Sequence, residues 1–193
     1  SDAGTPLISD PGYKLVRHAR AAGHAIFTIP GPSAAIAALT LAGLPTDRFL
    51  FAGFLPSKAK ARADMITELA GVRATLVFYE SGPRLGESLA SLAEILGERE
   101  AAVVREISKL HEESVTGPLS EQAQRYAAAQ PKGEIVIIVG PPAAGEQASD
   151  DAIAVALDEA MTTMSPSRAA ANVAARLNVP RKRAYAMALE RYR

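Results

Sequence analysis

Residues 74–104 read "ATLVFYESGPRLGESLASLAEILGEREAAVV". The opening "ATLVFYES" is a short run of apolar, β-branched and aromatic residues, which predicts a strand. Gly82 and Pro83 break it, and "GPRLGESLASLAEILG" predicts a helix that stops at Gly97. "AAVVREISKL" (101–110) then predicts a second strand. Strand, helix, strand is the alternation of an α/β sheet covered by helices. The pattern extends both ways. Upstream lie "RFLFAGFLP" (48–56) as a strand and "KARADMITELAG" (60–71) as a helix. Downstream, "SEQAQRYAAAQ" (120–130) reads as a helix and "GEIVIIVG" (133–140) as a strand. "ISKL" (107–110) and "EESVTG" (112–117) are placed to pair as a hairpin, which makes the sheet mixed.

Residues 1–45 repeat the alternation differently. "GYKLVRHARAAG" (12–23) has Leu15, Val16, Ala19 and Ala22 at helical spacing, "HAIFTIP" (24–30) reads as a strand, and "GPSAAIAALTLAG" (31–43) as a helix apolar on all sides. This is most of a βαβα run whose first strand is expected before Ser1. "LPTDRFL" (44–50) and "PPAAGEQASD" (141–150) are the linkers. The expected division is therefore 1–46 as the C-terminal part of one α/β domain, 47–142 as a second α/β domain, and 146–193 as a helical, basic module.

Hydrophobic residues make up 48% of the 193, no apolar run is long enough to span a bilayer, and Cys is absent. Disulfides and Cys-based metal sites are excluded, and a soluble protein of a reducing cytoplasm is expected. Net charge is zero, so no global field advertises a nucleic-acid partner. The tail is the exception. Residues 146–164 hold five acids and no base, whereas 165–193 set Arg168, Arg176, Arg181, Lys182, Arg183, Arg191 and Arg193 against Glu190 alone.

In an open α/β sheet, ligands sit at the carboxyl ends of strands. Three loops fit that place: "SDAGTP" (1–6), "PGPSA" (30–34) with Ser33 as a candidate helix cap, and "YESGPR" (79–84). None matches the dinucleotide or triphosphate fingerprints. Taken alone, each loop reads equally as a plain connection.

Taken together they are more specific. "SDAGTPLISDPG" (1–12), "IPGPSA" (29–34), "GLPTDRFLFAGFLP" (43–56), "LVFYESGPR" (76–84), "VVREISKLHEE" (103–113) and "GEIVIIVG" occur in one order and spacing. In this the chain resembles the tetrapyrrole methylase superfamily, in particular its branch acting on small-subunit ribosomal RNA. The resemblance covers residues 1 to about 140. It implies a two-domain fold with a partial first domain, a mixed-sheet second domain and a C-terminal helical extension. It further implies S-adenosyl-L-methionine as cofactor, 2′-O-methylation of a cytidine in 16S ribosomal RNA, a cytoplasmic homodimer, and no metal or membrane. In its light the opening loop is an internal cofactor loop, expected to stand first through truncation.

The resemblance also assigns positions. Asp2, Ala3, Gly4 and Thr5 match one cofactor loop, and Ser33 and Ala34 a second. Phe78, Tyr79, Gly133 and Glu134 match positions near the adenosine. For the proton of the attacking hydroxyl, "REISKLHEE" offers Glu106 or a Lys109 with depressed pKa. Read as a strand, it sets Arg105, Ile107 and Lys109 on one face and Glu106 and Ser108 on the other. Glu80 and Arg84 form the rival set. Arg84 and Arg105 are candidates for phosphate contact, and ion pairs bracing a sheet edge are the plain alternative. His18, His24 and His111 read as surface positions.

The tail predicts helix, turn, helix, with Ala170, Val173, Ala174 and Leu177 on one face and Tyr185 and Leu189 packing inward. Arg181, Lys182 and Arg183 fall in a first helical turn, where the dipole disfavours cations, and so suggest phosphate contact. Two further readings stand beside ribosomal RNA methylation: C-methylation of a tetrapyrrole of the precorrin or uroporphyrinogen type, and a non-enzymatic nucleic-acid-binding protein acting through the tail.

Overall fold

The computed structural model describes residues 4–142, 150–177 and 179–192, without the side chains of residues 152, 175, 176, 191 and 192. The chain divides into two compact units, Ser1–Pro142 and Ala143–Arg193, so residue 46 falls inside the first.

The first unit runs α1 (Tyr13–Ala21), α2 (Ala34–Leu41), β1 (Phe49–Phe54), α3 (Ala59–Leu69), β2 (Thr75–Ser81), α4 (Leu85–Leu96), β3 (Glu100–Arg105), β4 (Glu113–Pro118), α5 (Leu119–Tyr126) and β5 (Glu134–Val139). The strands form one sheet in the order β1-β2-β5-β3-β4. β1 and β2 are parallel and every other pairing is antiparallel, which is the expected mixed sheet. Side chains alternate across it. On one face Leu76, Phe78, Val103, Ile135 and Ile137 pack against Ile66 of α3, Leu119 of α5 and the row Leu85, Leu89, Leu92, Leu96 of α4. That leucine spacing of three and four is why α4 is a helix with one buried side. Each such leucine contributes about 1.5–3 kcal/mol relative to an exposed one. On the other face Val77, Ala102, Val104, Val136 and Ile138 meet Ala35, Ala38, Leu39 and Ala42 from α2 and its end.

Register gathers distant residues at one end of the sheet. Phe54 pairs with Tyr79, Ser81 with Glu134, and Arg105 with both Ile135 and Glu113. The carboxyl ends of β1, β2 and β3 therefore meet the amino ends of β4 and β5.

Two expected strands are corrected. "HAIFTIP" forms no strand, and Phe27 and Ile29 are 90% and 87% exposed. A strand needs a neighbour to accept its backbone hydrogen bonds, and none of the described strands lies beside it. "AAVVREISKL" stops being a strand at Arg105, because Glu106 and Ser108 adopt φ of 52° and 63°. Such backbone leaves the pleat, so the two-faced arrangement expected for residues 105–109 does not exist. The hairpin does exist, but it pairs 100–105 with 113–118 across a loop.

Among the described residues the second unit has three helices, α6 (Asp150–Met161), α7 (Pro166–Leu177) and α8 (Arg181–Tyr192). Ile153, Leu157, Ala169, Ala170, Val173, Ala184 and Ala188 are its buried centre. The α7 face is as expected. The α8 face is corrected: Ala184 and Ala188 are buried, while Tyr185 and Leu189 are 40% and 45% exposed. Alanines let α8 approach α7 more closely than larger side chains would, turning Tyr185 outward. Among the described residues no helix is long and apolar enough to cross a membrane.

Candidate functional site

The first two glycine–proline loops touch. Thr5 donates its backbone N–H to Pro32 O (2.8 Å), and its hydroxyl lies 3.0 Å from both Gly31 O and Pro32 O. Gly4 has φ of 70°, and a Cβ there would stand 2.9 Å from Pro32 O. Only glycine allows that approach. Asp2 and Ala3 lie outside the described residues. Ser33 caps α2 in extended conformation, though its hydroxyl makes no capping bond. A different side chain serves the free helix end. Ala35 N–H donates to the Tyr79 hydroxyl (3.2 Å), tying the second loop to the end of β2.

Beside this junction lies a cleft of about 390 Å³, lined by Thr5, Thr28, Gly31, Ser33, Ile36 and Phe51 among others. Its walls are apolar faces and hydroxyls, and among the described residues no lysine or arginine lines it. Such a lining fits an uncharged base and ribose and a compact cationic group better than it fits a phosphate. An uncharged base, a ribose and a sulfonium are all parts of S-adenosylmethionine, so the residues present fit those parts of that cofactor, and Thr5, Gly31 and Ser33 would hold it.

Sequence reading missed the aromatic support. Tyr79 stands edge-on between Phe51 (4.8 Å between centroids) and Phe54 (5.6 Å). Phe51 and Phe54 share a face only because β1 carries a bulge between Phe51 and Gly53, which reverses side-chain parity. The spacing Phe49-x-Phe51-x-Gly53-Phe54 was the available signal. Phe78, by contrast, is fully buried on the opposite face, so its ring cannot meet a ligand in this cleft.

The rival carboxylates separate sharply. Glu80 is buried; it accepts from Ser88 Oγ (2.6 Å) and Ser81 N–H (2.8 Å), and lies 3.3 Å from Arg84. Arg84 also donates to Leu55 O. These groups brace the end of β2 against α4 and the end of β1. Arg105 is likewise engaged, donating twice to Glu113 (3.0 and 3.2 Å).

Glu106, Lys109, Gly133 and Glu134 form the second group. Lys109 Nζ donates to Glu106 Oε1 and Glu134 Oε2, each at 3.0 Å, and Glu134 N–H donates to the same Glu106 oxygen. The Glu106 side chain lies over the α-carbon of Gly133, whose φ is 101°, occupying the space of any Cβ there. The hydrogen bond from Lys109, then that from the Glu134 amide, holds the Glu106 carboxyl below the usual carboxylate range. The bond to Glu106, then that to Glu134, holds the Lys109 ammonium above its ordinary value. The expected depressed Lys109 is thus reversed. Two carboxylates stabilise its charged form, and nothing desolvates it enough to compete. In the second unit, Arg183 donates to Asp150 (2.7 Å), while Arg181 and Lys182 are exposed at the start of α8.

The profile of the family described as Tetrapyrrole (Corrin/Porphyrin) Methylases matches residues 1–123, and that of the "RsmI C-terminal HTH domain" matches residues 147–191. Curated relatives carry the name "Ribosomal RNA small subunit methyltransferase I", three of them as follows. That of Erythrobacter litoralis is 58% identical over 91% of this chain and 62% of its own length. That of Mesorhizobium japonicum is 50% identical over 95% and 63%, and that of Pseudomonas aeruginosa 43% over 99% and 70%. The chain thus spans less than two thirds of the first two relatives. Among solved structures it resembles the methyltransferase CobJ (TM-score 0.55, 21% identity, 72% of this chain and 62% of that one). It also resembles the cobalt precorrin-4 methyltransferase CbiF (TM-score 0.50, 16%, 71% and 61%). At these identities the likeness shows the fold alone.

Proposed function

The chain belongs to the tetrapyrrole (corrin/porphyrin) methylase family, and on that premise we propose that it carries out S-adenosylmethionine-dependent methylation of a cytidine 2′-hydroxyl in small-subunit ribosomal RNA. The observation that carries this reading is the 43% identity to a relative of that name, which runs through both units over 99% of the chain. Action on ribosomal RNA implies the cytoplasm, and the reading includes a homodimer.

When bound, the cofactor supplies an electrophilic methyl group on a sulfonium. The chain's own work is to place the hydroxyl oxygen in line with it. Positioning of this kind supplies about 7–11 kcal/mol of a barrier. Thr5, Gly31, Pro32 and Ser33 form the cofactor wall, and Tyr79 keeps that wall at the end of the sheet. As the new C–O bond forms, the hydroxyl proton has to leave. Glu106 is the acceptor in this reading, and Lys109 is the ammonium that holds its carboxylate and faces a phosphate. The same hydrogen bonds keep Glu106 ionised and make it a weaker base than a free carboxylate, while Lys109 keeps its proton.

The test is transfer of a radiolabelled methyl group to small ribosomal subunits, with mapping of 2′-O-methylation, alongside calorimetric titration with S-adenosylhomocysteine. Label on the 2′-oxygen of a cytidine is expected. Label on a carbon of a tetrapyrrole instead, or no transfer to RNA by a chain that binds S-adenosylhomocysteine, overturns the reading.

A further inference from the structure

The second unit carries a charged surface to which the proposed chemistry assigns no role. Ser167 of α7 and Arg181, Lys182 and Tyr185 of α8 line a shallow notch of about 260 Å³. The unit's core does not require them, since Ala184 and Ala188 are the α8 residues buried against α7. Arg183 points elsewhere, onto Asp150. Arg181 and Lys182 pair with no carboxylate among the described residues, so two unneutralised cations stand beside a hydroxyl and a half-exposed aromatic ring.

We propose that this notch takes one unpaired nucleotide of an RNA strand, its phosphate between Arg181 and Lys182 within reach of the Ser167 hydroxyl, and its base stacked on Tyr185. Phosphate contact alone would suit a duplex equally. The ring is what selects a single strand, because duplex bases are already stacked and offer it no face. The inference rests on the ribosomal RNA reading for the choice of RNA. It replaces the Arg181, Lys182 and Arg183 trio expected from sequence with Ser167, Arg181, Lys182 and Tyr185.

The test is fluorescence anisotropy of the full chain with a labelled single-stranded oligoribonucleotide of mixed sequence across a range of salt. A duplex DNA of the same sequence is the comparator, and circular dichroism melts confirm that each variant folds. Arg181→Ala with Lys182→Ala is expected to weaken binding about tenfold at low salt and to lower the slope of log K against log salt by about 1. Tyr185→Ala is expected to weaken binding about 5- to 100-fold with the slope kept, and Tyr185→Phe to retain the wild-type affinity. An unchanged affinity and slope in the double variant overturns the proposal. So does tighter binding of the duplex, or an equal loss in Tyr185→Phe and Tyr185→Ala. Titration of the same preparations with S-adenosylhomocysteine separates the two readings. Cofactor binding without a notch effect removes the notch alone, and a notch effect without cofactor binding removes the methyltransferase alone.

Discussion

Glu80 with Arg84 and Glu106 with Lys109 are two carboxylate–cation pairs at the same end of one sheet, and they have opposite characters. The Glu80 side chain is wholly excluded from solvent, and its oxygens are engaged by Ser81, Ser88 and Arg84. The Lys109 side chain is 48% exposed, and Glu106 sits on left-handed backbone in a loop that leaves the sheet. A buried carboxylate that already has its partners holds structure. The Glu106 side chain keeps 17% exposure, against none for Glu80, and a carboxylate on strained backbone with an open edge is able to meet a substrate. Residue type and spacing do not distinguish them, whereas burial and partners do.

The largest effect should come from the buried pair. Glu80→Ala leaves Ser88 without its acceptor and Arg84 with Leu55 O alone, and should cost about 3 kcal/mol in urea unfolding. Methyl transfer by the protein that still folds should be unaffected. Glu106→Gln should do the reverse, lowering methyl transfer about 10²-fold with little change in the unfolding midpoint. If Glu80→Ala lowered turnover and Glu106→Gln lowered stability, the comparison would be inverted.

Gly133→Ala sharpens it. The new Cβ needs the space of the Glu106 side chain at a φ of 101°. A cost of about 1 kcal/mol is expected from the backbone alone, together with a fall in methyl transfer at least as large as that of Glu106→Gln. Wild-type turnover in Gly133→Ala would show that the Glu106 position does not matter.

Tyr79→Phe removes one hydrogen bond, from Ala35 N–H, and should cost about 0.5–1.5 kcal/mol. Calorimetry should show weaker S-adenosylhomocysteine binding, since the second loop loses its tie to β2. An unchanged affinity would detach the aromatic cluster from the cofactor wall.

The smallest effect is on pH dependence. Glu106 has a lowered folded-state pKa. Its contribution is therefore present above the ordinary carboxylate value and lost as pH falls through the lowered one. Lys109, raised, contributes below the ordinary lysine value and loses that contribution as pH rises through its raised one. Stability should be flat at neutral pH on account of this pair, with a slightly shallower acid limb in Glu106→Gln. A Glu106-dependent transition near neutral pH would contradict the hydrogen-bonding described.

Much of the fold was legible in the chain. β2, α4 and β5 follow from runs and spacings that local physics reads directly, and the face of α7 follows from Ala170, Val173 and Ala174. "HAIFTIP" was not legible, because strand propensity is realised only when a neighbouring strand takes up the backbone. Residues 106–110 were not legible either, since a β-favourable composition does not reveal left-handed φ. On α8, helical spacing suited Tyr185 and Leu189 as well as Ala184 and Ala188. Only packing against α7 chose the smaller pair.

An α/β body with glycine–proline loops at strand ends and a helical, basic tail could be read from the residues alone, because those features arise from interactions a few residues apart. The residues of the 105–113 segment also offered Glu106 as a site candidate, and the family resemblance added Thr5, Ser33, Tyr79 and Gly133. Long-range packing set the rest: Thr5 rests on Pro32, a bulge in β1 brings Phe54 to Tyr79, and Lys109 is held charged between two carboxylates. It also decided that Glu80 is a brace. Each of these depends on groups far apart in the chain, and a side chain's burial, pKa and free partners are set by what folding places beside it.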